Sequence, residues 1–221
     1  MSNAARGRLI DLSHEITEGM VTYKGLPGPH ICDYWSREAS AANYDDGASF
    51  QIGRIDMVAN TGTYLDTPFH RFADGDDLAA VGIERVAGLP AVVVTSSDMA
   101  IDADTFAGID VAGMAVLVAT GWDRHWGSAA YYDDHPYLTE AAARHLADRG
   151  AALVGIDSHN IDDTSTRTRP VHTVLLGAGI PICEHLTRLG TLPPSGLRFT
   201  AAPPKIVGMG TFAVRAFVEL N

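Results

Sequence analysis

Cysteine is nearly absent from this chain. Cys32 and Cys183 stand far apart, with no Cys-x-x-Cys pair, so neither a zinc framework nor a disulfide scaffold is available. Cys183 sits in the apolar run "GIPIC" and reads as a small core hydrophobe, which fits a reducing, cytoplasmic compartment. Positive charge is also scarce. Sixteen Lys and Arg face 27 Asp and Glu, for a net charge of −11 and a sequence pI of about 5.1. A surface of that sign repels phosphate backbones and anionic lipid, so nucleic-acid and membrane partners are not expected. No run approaches the roughly 18 apolar residues of a membrane span, and "MSNAARGRLIDL" lacks the apolar core of a signal peptide. Repeats, low-complexity tracts and linkers are missing as well. The 221 residues therefore read as a single domain spanning 1–221, enough chain for one sizeable core.

What is present is a series of short, β-branched apolar runs: "LIDLSHEI", "QIGRIDMVA", "AVVVTS", "MAVLVATG", "AALVGIDS", and "PKIVGMG" through "TFAVRAFVEL". Several are almost continuously apolar, as strands buried on both faces are. "LTEAAARHLADRG" is the clearest helix, with Thr139 placed to cap it and Gly150 to end it. Strand, helix and strand in succession give an α/β class.

Chemistry gathers in "NTGTYLDTPFH". Gly62 opens backbone conformations closed to other residues, and Pro68 fixes its own φ and extends Thr67. The stretch reads as a strand feeding an irregular turn at a sheet edge or end, holding Asp66 and His70 close enough for acid/base work. On residues alone Asp66 could equally cap a turn, with His70 on the surface. A second group lies in "RPVHTVLLGAGIPICEHL", with His172 and Glu184. Inside a dry neighbourhood Glu184 would need a cation, a base or a metal; otherwise it starts an exposed helix with His185 beside it in water. A third group, Asp157, His159, Asp162 and Asp163 in "GIDSHNIDDTST", reads first as turn chemistry. Trp35, Trp122 and Trp126 are candidates for an aromatic pocket wall, with His14 and Arg124 as further candidates. His125, His135 and His145 read as structural or exposed.

Taken together, "LIDLSHEITEGMVTYKGLPG", "NTGTYLDTPFH", "TGWDRHWG", "HPYLTEAAARHL", "GIDSHNIDD", "RPVHTVLLGAGIPICEHLTRL" and "GMGTFAVRAF" resemble, in unchanged order over about residues 9–217, the cyclase family that includes bacterial-type kynurenine formamidase and isatin hydrolase. The resemblance implies an α/β domain of the swivelling β/β/α type with a mixed sheet, a dimer or tetramer, a small-molecule substrate, and metal-dependent opening of amides or lactams. The family signature is His-x-Gly-Thr-His-x-Asp-x-Pro-x-His. Gly62, Thr63, Asp66, Pro68 and His70 match it, while its first two histidines fall on Asn60 and Tyr64. His172 and Glu184 fall where the family has its second-metal His and Glu.

The resemblance thus leaves Asp66, His172 and Glu184 as ligands for one zinc or manganese ion, His70 as acid/base, and no organic cofactor. An Asn carbonyl is a weak ligand, and Tyr binds metal well only when deprotonated. Two imidazoles of the principal site are therefore gone. Three functions follow. The first is a hydrolase of a non-peptide C–N bond in an aryl formamide, amide or lactam, with water activated by His70, with or without one metal. The second is a metal-free cyclase or dehydratase acting on a carbonyl-rich, polyketide-like molecule through Tyr64 and His70, with Asn60 as a second donor. The third is a non-catalytic small-molecule-binding protein.

Overall fold

A computed structural model describes residues 7–220. In chain order it contains β1 (Arg8–Asp11), β2 (His30–Trp35), α1 (Arg37–Ala41), β3 (Ile52–Asp56), β4 (Tyr64–Asp66), β5 (Leu89–Thr95), β6 (Ala100–Ile101), β7 (Ala115–Ala119), β8 (Tyr137–Leu138), α2 (Glu140–Asp148), β9 (Leu153–Ile156), α3 (Pro170–Gly177), β10 (Ile182–Glu184), β11 (Leu197–Thr200), β12 (Thr211–Ala213) and β13 (Phe217–Leu220). Nine strands form one sheet, ordered β1-β13-β11-β5-β7-β9-β10-β4-β12. Its centre, β5-β7-β9-β10, is parallel, and antiparallel strands flank it on both sides. This is the mixed-sheet α/β class expected. No helix among the described residues is long and apolar enough to cross a membrane.

The continuous apolar runs have a simple cause. Side chains alternate faces along a strand, and both faces of this sheet are covered. On β7, Ala115, Leu117 and Ala119 enter one core, with Leu153, Cys183, Phe199 and Val218. Val116 and Val118 enter the other, with Val154, Ile182, and Ala142, Leu146, Val171 and Leu175 from α2 and α3. Helix α2 begins as expected: the Thr139 hydroxyl accepts the Ala142 N–H at 3.1 Å. Gly150 at φ +75° lets the chain turn back just beyond its end.

Two local expectations need correction. "YLD" is not part of a turn but a strand, second from the sheet edge and paired with β10 and β12. Its Gly and Pro neighbours masked a pairing made entirely with distant chain. "PKIVGMG" forms no strand; it is a loop leading to β12. The strand before the motif, β3, belongs to a separate two-stranded ribbon with β2, and the exposed Tyr34, Phe50, Ile52 and Ile55 lie on or beside it.

Candidate active site

The register of two short strands assembles the site. In β4 and β10, Leu65 lies opposite Cys183, Tyr64 opposite Glu184, and Asp66 opposite Ile182. Leu65 and Cys183 point into one core and Ile182 into the other. Alternation therefore sends Tyr64, Asp66 and Glu184 to the face covered by α3, which carries His172. All four are buried; Asp66 and Glu184 are 0% and 1% exposed. Glu184 is thus inside, in a strand, and His185 follows it into the interior at 0% exposure.

Asp162 orients His172. Its carboxylate accepts the backbone N–H groups of Val171 and His172 at 2.7 and 3.1 Å, satisfying the start of α3, and binds His172 Nδ1 at 2.6 Å. With Nδ1–H engaged, the Nε2 lone pair faces Asp66 Oδ2 at 3.7 Å and Glu184 Oε1 at 3.8 Å. Asp66 Oδ2 is buried without a hydrogen-bond partner. Three acceptors converge here at separations too long for hydrogen bonds, so the arrangement calls for a cation. Donor atoms of Asp66, His172 and His70 also lie within 4.8 Å of one another. One imidazole and two carboxylates are a donor set that suits zinc or manganese. Without an ion, burial pulls the His172 imidazole down. The Asp162 hydrogen bond and the charges of Asp66 and Glu184 outweigh that and hold it at about 10, so without an ion a proton on Nε2 takes the cation's place between the two carboxylates. Burial raises Glu184 to about 7, opposed by His172.

His70 stands at the end of a one-turn 3-10 helix, Pro68–His70. The Thr67 N–H binds the Gly210 carbonyl at 2.7 Å, bringing β12 alongside. Gly210 is required by closeness: a Cβ there would lie 2.2 Å from the His70 backbone nitrogen. The next residue, Thr211, donates its hydroxyl to Asp66 Oδ1 and sits 2.7 Å from His70 Nδ1. The hydroxyl proton is committed to the carboxylate, so Nδ1 carries the proton it accepts. The Nε2 lone pair of the exposed His70 is left for the pocket.

Tyr64 is engaged on the inner side. Its hydroxyl donates to Glu184 Oε2 at 2.6 Å, and the same oxygen lies 3.2 Å from His185 Nε2. His185 Nδ1 meets the Tyr131 hydroxyl at 2.8 Å. A carboxylate only accepts, so the chain has one direction: Tyr131 O–H to His185 Nδ1, His185 Nε2–H to Tyr64, Tyr64 O–H to Glu184. Burial and the Glu184 charge push the Tyr64 hydroxyl well above its ordinary value, and burial pushes His185 well below its own. The first therefore stays a phenol and the second a neutral imidazole. Glu184 Oε1 takes the Ile161 N–H at 2.7 Å.

These groups open onto a pocket of about 840 Å³. Tyr23, Asn60, Tyr64, His70, His172 and Glu184 line it, together with Arg71, Arg144, Arg167 and Arg169. Trp122 is not among the lining residues; its indole N–H donates to the Tyr131 carbonyl at 3.1 Å. Trp126 stacks on His14, and Trp35 packs by Tyr44 on the ribbon. Of the Asp group, Asp157 is also buried, holding the Thr120 and Gly121 N–H groups. Sequence reasoning missed Thr211, Tyr131 and the arginines, and gave Asp162 and His185 no part in the site. Only the adjacency of His185 to Glu184 was a signal.

A family model described as Putative cyclase matches residues 10–163. The chain is 28% identical over 209 residues to the kynurenine formamidase of Geobacillus thermodenitrificans, covering 94% of this chain and 95% of that one. A solved structure described as a potential metal-dependent hydrolase with cyclase activity superposes with a TM-score of 0.78 at 28% identity, covering 96% of each chain. Isatin hydrolase A from Ralstonia solanacearum shares the fold, with a TM-score of 0.80 at 23% identity over 97% of this chain and 92% of that one.

Proposed function

The chain belongs to the cyclase family and is a hydrolase, and we propose that it opens the C–N bond of a small aryl formamide, amide or lactam, using His70 as proton carrier beside one divalent metal. The observation that carries this reading is the convergence of His172 Nε2, Asp66 Oδ2 and Glu184 Oε1 at the floor of a pocket lined by His172, Glu184 and His70, with Asp66 buried just behind it. Asp66, His172 and Glu184 would hold the ion. A zinc or manganese ion held there would supply Lewis acidity to a substrate carbonyl and to water.

The remaining work falls to the chain's own groups. His70 Nε2 takes a proton from the attacking water and returns it to the leaving nitrogen. The imidazolium formed in between is balanced by Asp66, which reaches it through Thr211 and lies 3.7 Å from Nδ1. Asn60, on the pocket wall, offers an amide N–H to the carbonyl oxygen as charge grows there. Tyr64 keeps Glu184 in place. Its proton is engaged by the Glu184 carboxylate, which disfavours the metal-free cyclase or dehydratase reading, where Tyr64 must donate to substrate.

Elemental analysis of protein purified without chelator or metal-affinity resin tests the metal, and a panel of formanilides and isatin-type lactams tests the reaction. About one zinc or manganese per chain is expected, lost in Asp66→Ala and His172→Ala. His70→Ala should cost roughly 10²–10⁴-fold in turnover without unfolding. Metal-free protein with full activity would remove the metal from this account. Ligand-induced stabilisation with no turnover, equal in wild type and His70→Ala, would make the chain a binding protein instead.

A further inference from the structure

We propose that His185 is a positioning residue: it commits the Tyr64 proton to one oxygen of Glu184, so that the other oxygen faces His172 and the metal site. The proposal rests on the one-metal reading of that site. His185 is buried at 0% exposure and does not line the pocket, so it acts through its neighbours. Its backbone is strained. At φ +56° it lies in the left-handed region, which a non-glycine residue keeps only when its surroundings hold it there. Had β10 run on extended, residue 185 would share the face of Cys183, in the opposite core. The left-handed step breaks that alternation and keeps the ring on the side of Glu184. Two bonds hold the turn: the Thr63 hydroxyl donates to the His185 carbonyl at 2.6 Å, and the Leu186 N–H to the Ile156 carbonyl at 3.0 Å.

The ring is engaged at both nitrogens, Nδ1 by the Tyr131 hydroxyl at 2.8 Å and Nε2 by the Tyr64 hydroxyl at 3.2 Å. Tyr131 is itself 1% exposed, and the Trp122 indole N–H holds its carbonyl at 3.1 Å. The rings of Tyr23, Trp126 and His159 stand around the imidazole, with centroids 5.5–5.9 Å away, and pack it in place. Its tautomer then decides where the Tyr64 proton goes. With the proton on Nδ1, the bare Nε2 would take the Tyr64 O–H and strip Glu184 Oε2 of its donor. With the proton on Nε2, the Tyr64 O–H is left for Glu184. The second arrangement keeps the charge-assisted 2.6 Å bond, the stronger of the two choices in a buried site, and Tyr131 completes it by donating to Nδ1. Glu184 Oε2 is thereby anchored. Oε1, fixed by the Ile161 N–H, is the oxygen turned toward His172 Nε2.

Nitrogen-15 NMR of the metal-free protein reads the tautomer directly: a proton on Nε2 of His185, with Nδ1 as acceptor, is expected. Asn accepts left-handed backbone readily, so His185→Asn should fold, but its amide reaches only as far as Nδ1. The Glu184 carboxyl carbon-13 signal should therefore move in His185→Asn and return in His185→Gln, whose amide N–H reaches the Nε2 position. In competition with a chelator, His185→Asn should bind zinc about 10–100-fold more weakly, with His185→Gln close to wild type. Formanilide turnover should follow the same order in kcat, with KM within about twofold. Tyr131→Phe should act in the same direction more weakly; should His185→Asn not fold, that variant and the wild-type tautomer carry the test. A role in packing alone would lower the urea midpoint of the variants and leave the carboxyl signal and zinc affinity unchanged, overturning the proposal. A proton on Nδ1 in the wild type would also overturn it. If the wild type takes up no zinc or manganese while the tautomer and carboxyl signal behave as expected, the positioning of Glu184 stands and the one-metal reading falls. Metal-loaded, active protein with the proton on Nδ1 gives the reverse.

Discussion

Tyr64→Phe removes one oxygen from the middle of a directed hydrogen-bond chain, and the structure sets the cost. Two bonds end on that oxygen: the 2.6 Å bond to Glu184 and the 3.2 Å bond from His185. Both partners are buried; Glu184 is 1% and His185 0% exposed. A hydrogen bond to a charged group contributes about 1.5–3 kcal/mol, and a buried donor left unpaired costs about 1–3 kcal/mol. The loss should total about 3–5 kcal/mol, a fall in Tm on the order of 10 °C for a chain of this size. Tyr131→Phe breaks only the far end, leaving a neutral lone pair on His185 Nδ1, and should cost about 1–2 kcal/mol. Urea unfolding with chelator present, at pH 8 and so above the value of about 7 to which burial raises Glu184, measures both. A Tyr64→Phe cost below about 1 kcal/mol, or one no larger than that of Tyr131→Phe, would refute a chain directed at the Glu184 carboxylate.

Three further outcomes follow from the same geometry. Gly210→Ala forces a Cβ to within 2.2 Å of the His70 nitrogen; circular dichroism should show a folded protein, while kinetics show turnover reduced at least tenfold as His70 and Thr211 separate. Retained activity would mean the close approach is unimportant. Asp162→Asn should weaken metal binding about 10–100-fold in competition with a chelator, because His172 loses the partner that fixes its tautomer; unchanged affinity would remove His172 from the ligand set. Burial lowers His14 to about 4 and His159 to about 3. Both bind a proton near 6.5 when unfolded, so the unfolded state gains protons first as pH falls. Their contribution is intact above pH 6.5 and lost toward pH 4, by about 2–3 kcal/mol at pH 5 after discounting partial exposure. Urea midpoints that stay flat from pH 7 to 5 would contradict it.

The sequence by itself determined the elements whose signals are local. Continuous, β-branched apolar runs marked β5, β7 and β9, and Thr139 and Gly150 bracketed α2. The order of motifs disclosed the family, and with it Asp66, His70, His172 and Glu184 as candidate site residues. Only tertiary structure decided that "YLD" is a strand, because its pairing partners, β10 and β12, lie more than a hundred residues away. It also placed Thr211 between Asp66 and His70, put Asp162 beneath His172, and turned His185 inward to hold Tyr64. None of these has a spacing or periodicity to betray it. A side chain's chemistry is written at its own position, but what satisfies a buried donor or acceptor is set by whichever distant strand the sheet brings alongside.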